Sequence, residues 1–347
     1  MKLLYIGQHI DHISSGADQV NKRNQQLLTK VFQGQVTYLE PSVKGMFDKL
    51  VFGVNKKFIA SVKGELDKGE YTHLFIAQSL MGRISKFVKQ NYPSVVVVNF
   101  FHNIEVQYAH EYLKTTGLRA IPFYLAVKYW EKVGCRYTDK FITLNRRDSD
   151  LLKEIYSKEA TIELPTSFDD KFDEEQNQSI ELNDKEQIDY LFVGVSFFAN
   201  IQGVQWFLDN VMPQLKGNFY IVGKGMDKVR FKNLTPNIHI YGFVEDLANY
   251  YYRARIVVSP IFVGGGMKTK TAEALMYGKT IVGTEEAFEG YKVDDRCMHK
   301  CSTSDNFINV INSLQNSQRL NSHSRDLYNM YYSTDAAVNT IKNIFNE

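Results

Sequence analysis

Short apolar runs alternate with amphipathic segments along most of this chain, and the alternation limits the folds open to it. In the first half, the runs rich in β-branched and aromatic residues are Lys2–Gly7, Gln35–Leu39, His73–Ala77, Val95–Phe101, Lys140–Leu144 and Thr161–Leu164. Segments with helical spacing, such as Ala17–Val31 and Tyr124–Tyr137, lie between them. Strands that alternate with helices are typical of βαβ units, so the sequence predicts an α/β fold built on parallel sheets.

An acidic segment divides this alternation into two series. Residues 166–188 are polar and aperiodic, and we interpret them as a linker. The strand-like runs of the second series are Asp189–Gly194, Asn218–Gly223, Ile238–Tyr241, Ile256–Pro260 and Lys279–Gly283. Because 347 residues exceed one ordinary core, we predict two doubly wound domains, 1–165 and 189–325. The amphipathic stretch Ser317–Glu347 is predicted to pack on the second domain or, over about 326–347, to cross back to the first.

Composition and terminal sequence argue against several other classes. Three cysteines, Cys135, Cys297 and Cys301, are too few for a disulfide framework, and Cys297, His299 and Cys301 lack the second ligand pair of a structural zinc site. The N-terminal apolar run has no cleavage site, and the longest apolar run, Val95–Phe101, is too short to cross a bilayer. We therefore expect a soluble, cytoplasmic protein. No basic–aromatic motif indicates nucleic-acid binding.

Positive charge is concentrated in the first half of the chain. Residues 1–165 hold 23 Lys or Arg against 16 Asp or Glu, although the whole chain carries only +2. Within 44–68, lysines separate apolar residues at roughly helical spacing, namely Phe47, Leu50, Val51, Phe58, Ile59 and Val62. This pattern suits a helix lying on an anionic membrane, with a lipid-linked acceptor within reach. The alternative is an ordinary helix packed on its own sheet and interrupted at Gly53, with a solvated basic surface.

The strands predicted in the second half end in small residues, and one of these strand ends leads into a glycine-rich loop. In SPIFVGGGMKTKTAEA, residues 259–274, the run Gly264–Gly266 leads into a predicted helix around Thr269–Tyr277. Ligands of open parallel sheets bind beyond the carboxyl ends of the strands, and a helix N-terminus attracts phosphate. Lys268 and Lys270 add positive charge, and Glu273 could accept hydrogen bonds from a ribose diol. The alternative is a flexible turn with solvated lysines.

At these residues the chain resembles a known family. The run YGFVEDLANYYYRARIVVSPIFVGGGMKTKTAEALMYGKTIVGTEEAFEG (241–290), with LFVGVSFFANIQGVQWFLDNVMP upstream, is similar to the donor-binding half of family 4 glycosyltransferases, in their glycine-rich-loop variant. The resemblance is continuous over about Leu191–Gly290. It implies the GT-B fold, in which two Rossmann-like doubly wound domains face each other across a cleft.

The resemblance also implies an activity. A hexosyl or related group would move from a UDP- or GDP-sugar to the hydroxyl of a glycan, lipid-linked or protein acceptor, with retention of configuration. No metal and no cofactor besides the donor substrate would be needed. Surface polysaccharide or glycan assembly would be a suitable setting.

The family's donor-site residues carry over to matching positions. Glu273 matches the second Glu of the paired-glutamate motif that holds the donor ribose, and Lys270 matches a basic position beside it. The other donor-site candidates, around the diphosphate and the nucleobase, are Gly194, Asn200, Lys224, Gly242, Phe243, Val244, Gly264, Gly265, Gly266, Met267, Lys268 and Thr269. The chain departs from the family at Gly265, where the first Glu would fall, and at Ser196 and Asn200, where relatives often carry Arg and Lys.

The first half supplies weaker candidates. Gly16 opens a helix in SSGADQVNKRNQQLL and resembles the loop that covers the donor phosphates. His102, directly after the run Val95–Phe101, matches a His near the donor sugar, where an imidazole could bind a hydroxyl or share a proton. The alternative is a structural His that caps the next helix. His9 and His12 rank lower, and Glu105 is predicted to lie on a helix surface or to bond to local backbone.

The predicted catalytic set is therefore His102, Lys270 and Glu273. Two other functions stay open at this stage. One is a catalytically silent GT-B subunit that binds a partner, which the altered glutamate pair suggests. The other is a sugar-nucleotide epimerase, which would need acid and base carboxylates that the sequence does not identify.

Overall fold

A computed structural model describes residues 2–8, 10, 16–183, 187–264 and 266–345 of the chain. Its contacts divide the chain into two units: unit 1 is Met1–Pro165 with Ala337–Glu347, and unit 2 is Thr166–Ala336. Each unit holds a six-stranded sheet in which all strand pairs are parallel. The predicted α/β class is confirmed.

The sheet of unit 1 is buried between helices. Its strands are β1 Leu3–Ile6, β2 Val36–Leu39, β3 His73–Ile76, β4 Val96–Phe101, β5 Lys140–Thr143 and β6 Ile162–Glu163, in the order β2-β1-β3-β4-β5-β6. The helices are α1 Gly16–Val31, α2 Met46–Leu50, α3 Lys56–Leu66, α4 Gly82–Asn91, α5 Glu105–Thr116, α6 Ile121–Arg136 and α7 Arg146–Tyr156. Strands β1, β3 and β4 read as near-continuous apolar runs because both faces of this sheet are covered.

The segment 44–68 forms two helices with different surroundings. Gly53, at a φ of +78°, lies between α2 and α3, in a left-handed conformation that glycine adopts without strain. Helix α3 buries Phe58, Val62 and Leu66 in the core of its own unit. Helix α2 buries no residue. The interpretation as a helix packed on its own sheet therefore holds for α3, and an exposed apolar surface remains only around α2.

The C-terminal residues of the chain belong to unit 1. Helix α14, Thr334–Phe345, runs across the boundary between the units, and its buried Phe345 packs edge-on against Phe32 and His73, with ring centroids 4.9 Å and 5.3 Å apart. Lys140 Nζ donates to the Ile344 carbonyl at 2.7 Å. This end of the chain thus completes the core of unit 1.

Unit 2 has the strand order of a doubly wound sheet. Its strands are β7 Ile188–Val193, β8 Phe219–Val222, β9 Ile238–Tyr241, β10 Ala254–Ser259, β11 Thr280–Gly283 and β12 Met298–Lys300, in the order β12-β11-β10-β7-β8-β9. The helices are α8 Glu174–Asn183, α9 Phe198–Asn210, α10 Leu247–Arg253, α11 Thr269–Met276, α12 Ser304–Ser313 and α13 Ser322–Leu327, followed by a π-helical turn, Tyr328–Tyr332. From β7 the strands β8 and β9 are added on one side, and β10, β11 and β12 are added on the other side. A ligand crevice is expected at this switch point, beyond the carboxyl ends of β7 and β10.

The segment interpreted as a linker has structure of its own. It contains α8 and belongs to unit 2. Phe168 pairs with Ser333 in an isolated parallel bridge, and the Asp173 amide donates to the Tyr252 hydroxyl at 2.8 Å. The start of unit 2 is therefore fixed to the rest of that unit by backbone and side-chain hydrogen bonds.

Candidate functional site

The glycine-rich loop lies at the switch point of the second sheet. It follows β10, and helix α11 begins at Thr269, as the sequence predicted. Lys268, the N-cap residue, makes no side-chain capping hydrogen bond, and its carbonyl accepts from the Thr271 amide at 2.9 Å. The positive end of α11 thus lies at the edge where β7 and β10 end.

Lys270 lies against the end of β7. Its Nζ donates to Asn200 Oδ1 at 2.6 Å and lies 4.3 Å from the centroid of the Phe192 ring. A Cβ added to Gly194 would come within 2.9 Å of this Nζ, so glycine gives the ammonium room at this strand end. Asn200 Nδ2 donates to the Val195 carbonyl at 2.8 Å and holds the amide in place. Burial, followed by the charge of Lys268, lowers the pKa of Lys270 to about 7.

Lys268 has a different environment. Its Nζ forms an ion pair with Glu286 at 2.6 Å and donates to the Gly266 carbonyl at 2.9 Å, and both charged side chains are largely buried. Gly266 adopts a φ of +61°, and a Cβ on Gly264 would contact both members of the ion pair. Lys268 therefore fixes the loop, and Glu286 offsets the charge that the sequence led us to expect for a diphosphate.

Glu273 lies on the same helix, one turn beyond Lys270, and is half-buried. Two tyrosines lie close to it, and burial together with its charge holds the pKa of Tyr251 and of Tyr291 well above the usual range. The Tyr291 hydroxyl donates to the Lys268 carbonyl at 2.7 Å and accepts from the Ala272 amide at 3.2 Å. Tyr291 thus secures the first turn of α11.

The remaining predicted residues of unit 2 lie at neighbouring strand ends, in the glycine-rich loop or at the start of α11. The exposed Lys224 follows β8, and its carbonyl accepts from the Ser196 amide at 3.0 Å. Gly242 follows β9, and a Cβ there would lie 2.5 Å from an Asp227 carboxylate oxygen. The other four are the 77% exposed Phe243, the half-buried Val244 and Thr269, and the buried Met267.

His102, in unit 1, is buried at the end of β4. Its Nε2 lies 2.9 Å from Asn21 Oδ1 on α1, and the ring also hydrogen-bonds to the Ala77 backbone. Burial and the charge of Arg23 lower its pKa to about 4, so the ring is neutral at physiological pH. These partners fix the orientation of the imidazole.

Sequence reasoning missed a buried carboxylate in unit 1. Glu131 is fully buried and accepts from Ser79 Oγ and the Tyr156 hydroxyl, both at 2.7 Å. It also accepts the Glu105 and Val106 amides at 2.9 Å and 3.0 Å, so it caps helix α5 from a distant part of the chain. Burial and the charge of Glu131 raise the pKa of Glu105 to about 7. The half-buried Glu105 side chain is therefore not a simple helix-surface carboxylate.

Other missed residues have partners far apart in sequence. Glu286 follows the carboxyl end of β11, so the rule that ligands bind beyond the carboxyl ends of parallel strands could have identified it. Nothing in the local sequence around Tyr291 or Phe192 indicates a role in the site. Among predicted residues, Gly265 lies outside the described residues, as do His9 and His12; Gly16 is the first residue of α1.

The described residues contain neither a metal-binding cluster nor a membrane-spanning helix. In that part of the chain, no group of three or more His, Cys, Asp and Glu side chains could hold a metal ion. None of the described helices is long and apolar enough to span a bilayer. Cys297 and Cys301, which lack the second ligand pair of a zinc site, are buried beside edge strand β12, which contains His299.

Known proteins share this architecture over the whole chain. Sucrose-phosphate synthase from Thermosynechococcus elongatus superposes with a TM-score of 0.73 at 14% identity, over 100% of this chain and 98% of that chain. HepE from Anabaena, in complex with UDP and glucose, has a TM-score of 0.66 at 15% identity, over 100% of both chains. The chain has the GT-B fold.

Further comparisons agree with the GT-B assignment. A glycosyltransferase from Rickettsia africae has a TM-score of 0.66 at 11% identity, over 99% of this chain and 98% of that chain. Residues 187–316 match the family model described as "Glycosyl transferases group 1". No curated protein sequence matches the chain. The matched residues lie within unit 2, the unit that carries the glycine-rich loop.

Proposed function

We propose that this protein transfers a sugar from a UDP- or GDP-sugar to an acceptor hydroxyl. The observation that carries the proposal is the position of Lys270, at the switch point of the second sheet, against Gly194 and in the first turn of α11. Doubly wound sheets bind ligands at this place, and an ammonium beside a helix N-terminus attracts a diphosphate. The match of 187–316 to group 1 glycosyl transferases supports the proposal, and the neighbour HepE holds UDP and glucose.

In the proposed reaction, the bond between the anomeric carbon and the diphosphate oxygen breaks, and the acceptor oxygen bonds to that carbon from the same face. The acceptor proton passes to the departing phosphate oxygen, so configuration is retained and no protein nucleophile is used. Lys270 and the first amides of α11 stabilise the charge that develops on the diphosphate. These groups supply the positive charge, so transfer is expected to proceed without a metal and to persist in EDTA.

The other predicted catalytic residues take positioning roles in this proposal. Glu273 accepts hydrogen bonds from the donor ribose. His102 is a neutral ring near pH 7, because its pKa is about 4, and in this proposal it hydrogen-bonds to a sugar hydroxyl. The acceptor is a glycan, a lipid-linked glycan or a protein, in surface polysaccharide or glycan assembly.

Calorimetric titration with UDP, GDP, ADP and CMP tests the donor site. We expect one nucleotide to bind selectively, and Lys270→Ala to weaken it about 10- to 100-fold, the loss of one charge-assisted hydrogen bond. Glu273→Ala should weaken it comparably.

Lys216→Ala is the matched control, because the exposed Lys216 precedes β8 at the opposite edge of the same sheet. Its affinity should equal that of the unsubstituted protein. Absence of binding by every nucleotide would overturn the transferase proposal in favour of the silent GT-B subunit. Selective nucleotide binding without sugar transfer to any glycan acceptor would support the proposed donor site and contradict the proposed transferase activity.

A further inference from the structure

Two segments of unit 1 expose large apolar side chains. Among the described residues of that unit, every exposed large apolar side chain except Ile155 lies between 43 and 47 or between 108 and 129. The most exposed are Met46 at 83%, Leu118 at 81% and Phe47 at 65%. The others are Val43, Tyr108, Tyr112, Ile121, Leu125 and Tyr129. Patches of this kind on a folded domain indicate an interaction site.

The two segments are joined by aromatic contacts. The Phe123 ring on α6 packs edge-on against Phe52, after α2, and against Tyr112 on α5, with centroids 6.3 Å and 5.9 Å apart. The Trp130 indole N–H donates to the Leu50 carbonyl at 3.1 Å, and its ring packs against exposed Tyr129. Helices α2, α5 and α6 therefore present one continuous surface, which we call the aromatic face.

The aromatic face is basic. Its segments, 43–52 and 107–129, contain five Lys or Arg against two Asp or Glu. Both acids are already engaged: Asp48 accepts from the Lys44 amide and from Asn55 Nδ2, and Glu111 pairs with Lys114 at 2.8 Å. Lys128 lies 5.8 Å above the Tyr124 ring. The net charge of this face is therefore positive.

We propose that the aromatic face docks on an anionic phospholipid bilayer. Exposed aromatic and aliphatic side chains enter the boundary between headgroups and acyl chains, and lysines on the same face pair with anionic headgroups. Charge complementarity selects this occupant over a second copy of the chain, which would bring an equally positive face. A soluble polyanion would pair with the lysines but leave the apolar side chains in water.

The proposed contact is peripheral. It differs from a membrane helix over 44–68, because α3 buries its apolar residues in its own core and only α2 of that segment contributes. The larger part of the face comes from α5 and α6. Membrane docking does not require donor binding, so the membrane proposal and the transferase proposal can be tested independently.

Vesicle co-sedimentation of the full chain tests the proposal. We expect binding to phosphatidylcholine vesicles that contain roughly a quarter phosphatidylglycerol, little binding to pure phosphatidylcholine, and weakening as salt is raised. The double variants Met46→Ser/Phe47→Ser and Leu125→Ser/Tyr129→Ser should each reduce binding at least about fivefold.

The matched control is Leu234→Ser/Met330→Ser, which changes two exposed apolar residues of unit 2 and should bind like the unsubstituted chain. Circular dichroism checks that all variants fold. Failure to bind anionic vesicles, or equal losses in the test and control variants, overturns the proposal. Concentration-dependent dimerisation in light scattering, abolished by the same test variants, would assign the face to a second copy instead.

Discussion

Lys270 titrates near neutral pH because burial and the charge of Lys268 lower its pKa to about 7. At pH 8 the free protein holds it mainly as the neutral amine. A bound diphosphate favours the ammonium and raises this pKa, so binding at pH 8 should take up about one proton, whereas binding at pH 6 should take up almost none. Nucleotide affinity should therefore fall as pH rises above about 7. Calorimetry in buffers of different ionisation enthalpy measures the proton number.

Lys270→Arg supplies the control for this prediction, since a guanidinium stays charged across the range. That variant should show no proton uptake at either pH. Proton uptake that persists in Lys270→Arg would assign the titrating group elsewhere in the site.

Residues of the candidate site could be predicted from sequence where they share one short motif. Gly264, Gly266, Lys270 and Glu273 lie within ten residues, and their spacing alone indicates a loop that enters a helix. The ion pair of Lys268 with Glu286 spans 18 positions, so it depends on how two strand ends meet. No local pattern encodes such a contact.

Strand β7 and helix α11 meet at Gly194, and this contact can be tested by one added methyl. In Gly194→Ala the new Cβ would lie 2.9 Å from Lys270 Nζ and from Asn200 Nδ2, which are ends of flexible side chains. We expect these groups to shift, so nucleotide affinity falls about tenfold while stability changes by less than about 1 kcal/mol. Calorimetry and urea unfolding measure the two effects.

Two other glycine variants serve as controls for Gly194→Ala, one with free space for the added Cβ and one with a backbone clash. In Gly64→Ala, on the exposed face of α3, the Cβ meets nothing within 4 Å, so stability should rise by about 0.5–1 kcal/mol with unchanged nucleotide affinity. In Gly223→Ala the Cβ would lie 2.0 Å from the Gly194 carbonyl oxygen, so the backbone must move and stability should fall by about 1–3 kcal/mol. Unchanged affinity in Gly194→Ala would contradict the proposed role of Lys270.

Two neighbouring carboxylates lie at the start of helix α5, on its first residue Glu105 and on the buried Glu131. Their titration should make the stability of the protein depend on pH. The pKa of Glu105 is about 7 in the folded protein and near 4.5 in the unfolded chain, so the folded state binds more protons between these values. The free energy of unfolding should therefore fall as pH rises from about 5 to 7. Glu105→Gln stays neutral, and it should flatten this slope and stabilise the protein at pH 8 by about 1–2 kcal/mol.

Urea unfolding at pH 5 and pH 8 checks this prediction. Glu111→Gln is the control on the same helix, because exposed Glu111 pairs with Lys114 and has a pKa below its usual range. It should keep the slope of the unsubstituted protein. An unchanged slope in Glu105→Gln would show that another group titrates.

At the element scale, alternation predicted the strands of both sheets except the short edge strand β12. Edge strand β12 has only three residues, too few for a periodic pattern. The break between α2 and α3 was visible at Gly53. Which of the two helices buries its apolar face depends on tertiary packing, so periodicity alone left it open.

For the whole molecule, the alternation predicted two domains but not the order of strands within each sheet. Strand order decides which loops become neighbours, and only the switch between β7 and β10 brings Gly194 beside Lys270. The same limit applied to the C-terminal helix, whose amphipathic pattern suited either unit. Its buried Phe345 resolves the choice, because it contacts Phe32 and His73 of unit 1.

Phe345→Ala should therefore destabilise unit 1 although it lies at the end of the chain. Loss of a buried phenylalanine costs about 3–5 kcal/mol. The two tryptophans report the units separately, since Trp130 lies in unit 1 and Trp206 in unit 2. In single-tryptophan variants, Phe345→Ala should shift the urea transition seen by Trp130 to lower urea and leave the one seen by Trp206 in place.

A reciprocal substitution and a ligand complete this test. Phe307 is fully buried in unit 2 against Trp206 and Phe207, so Phe307→Ala should shift the Trp206 transition instead. A nucleotide bound at the site of unit 2 stabilises only the unit that holds it, and should raise the Trp206 transition alone. If both tryptophans report one shared transition in every variant, the two units unfold together. That result would contradict the prediction that Phe345 stabilises unit 1 alone.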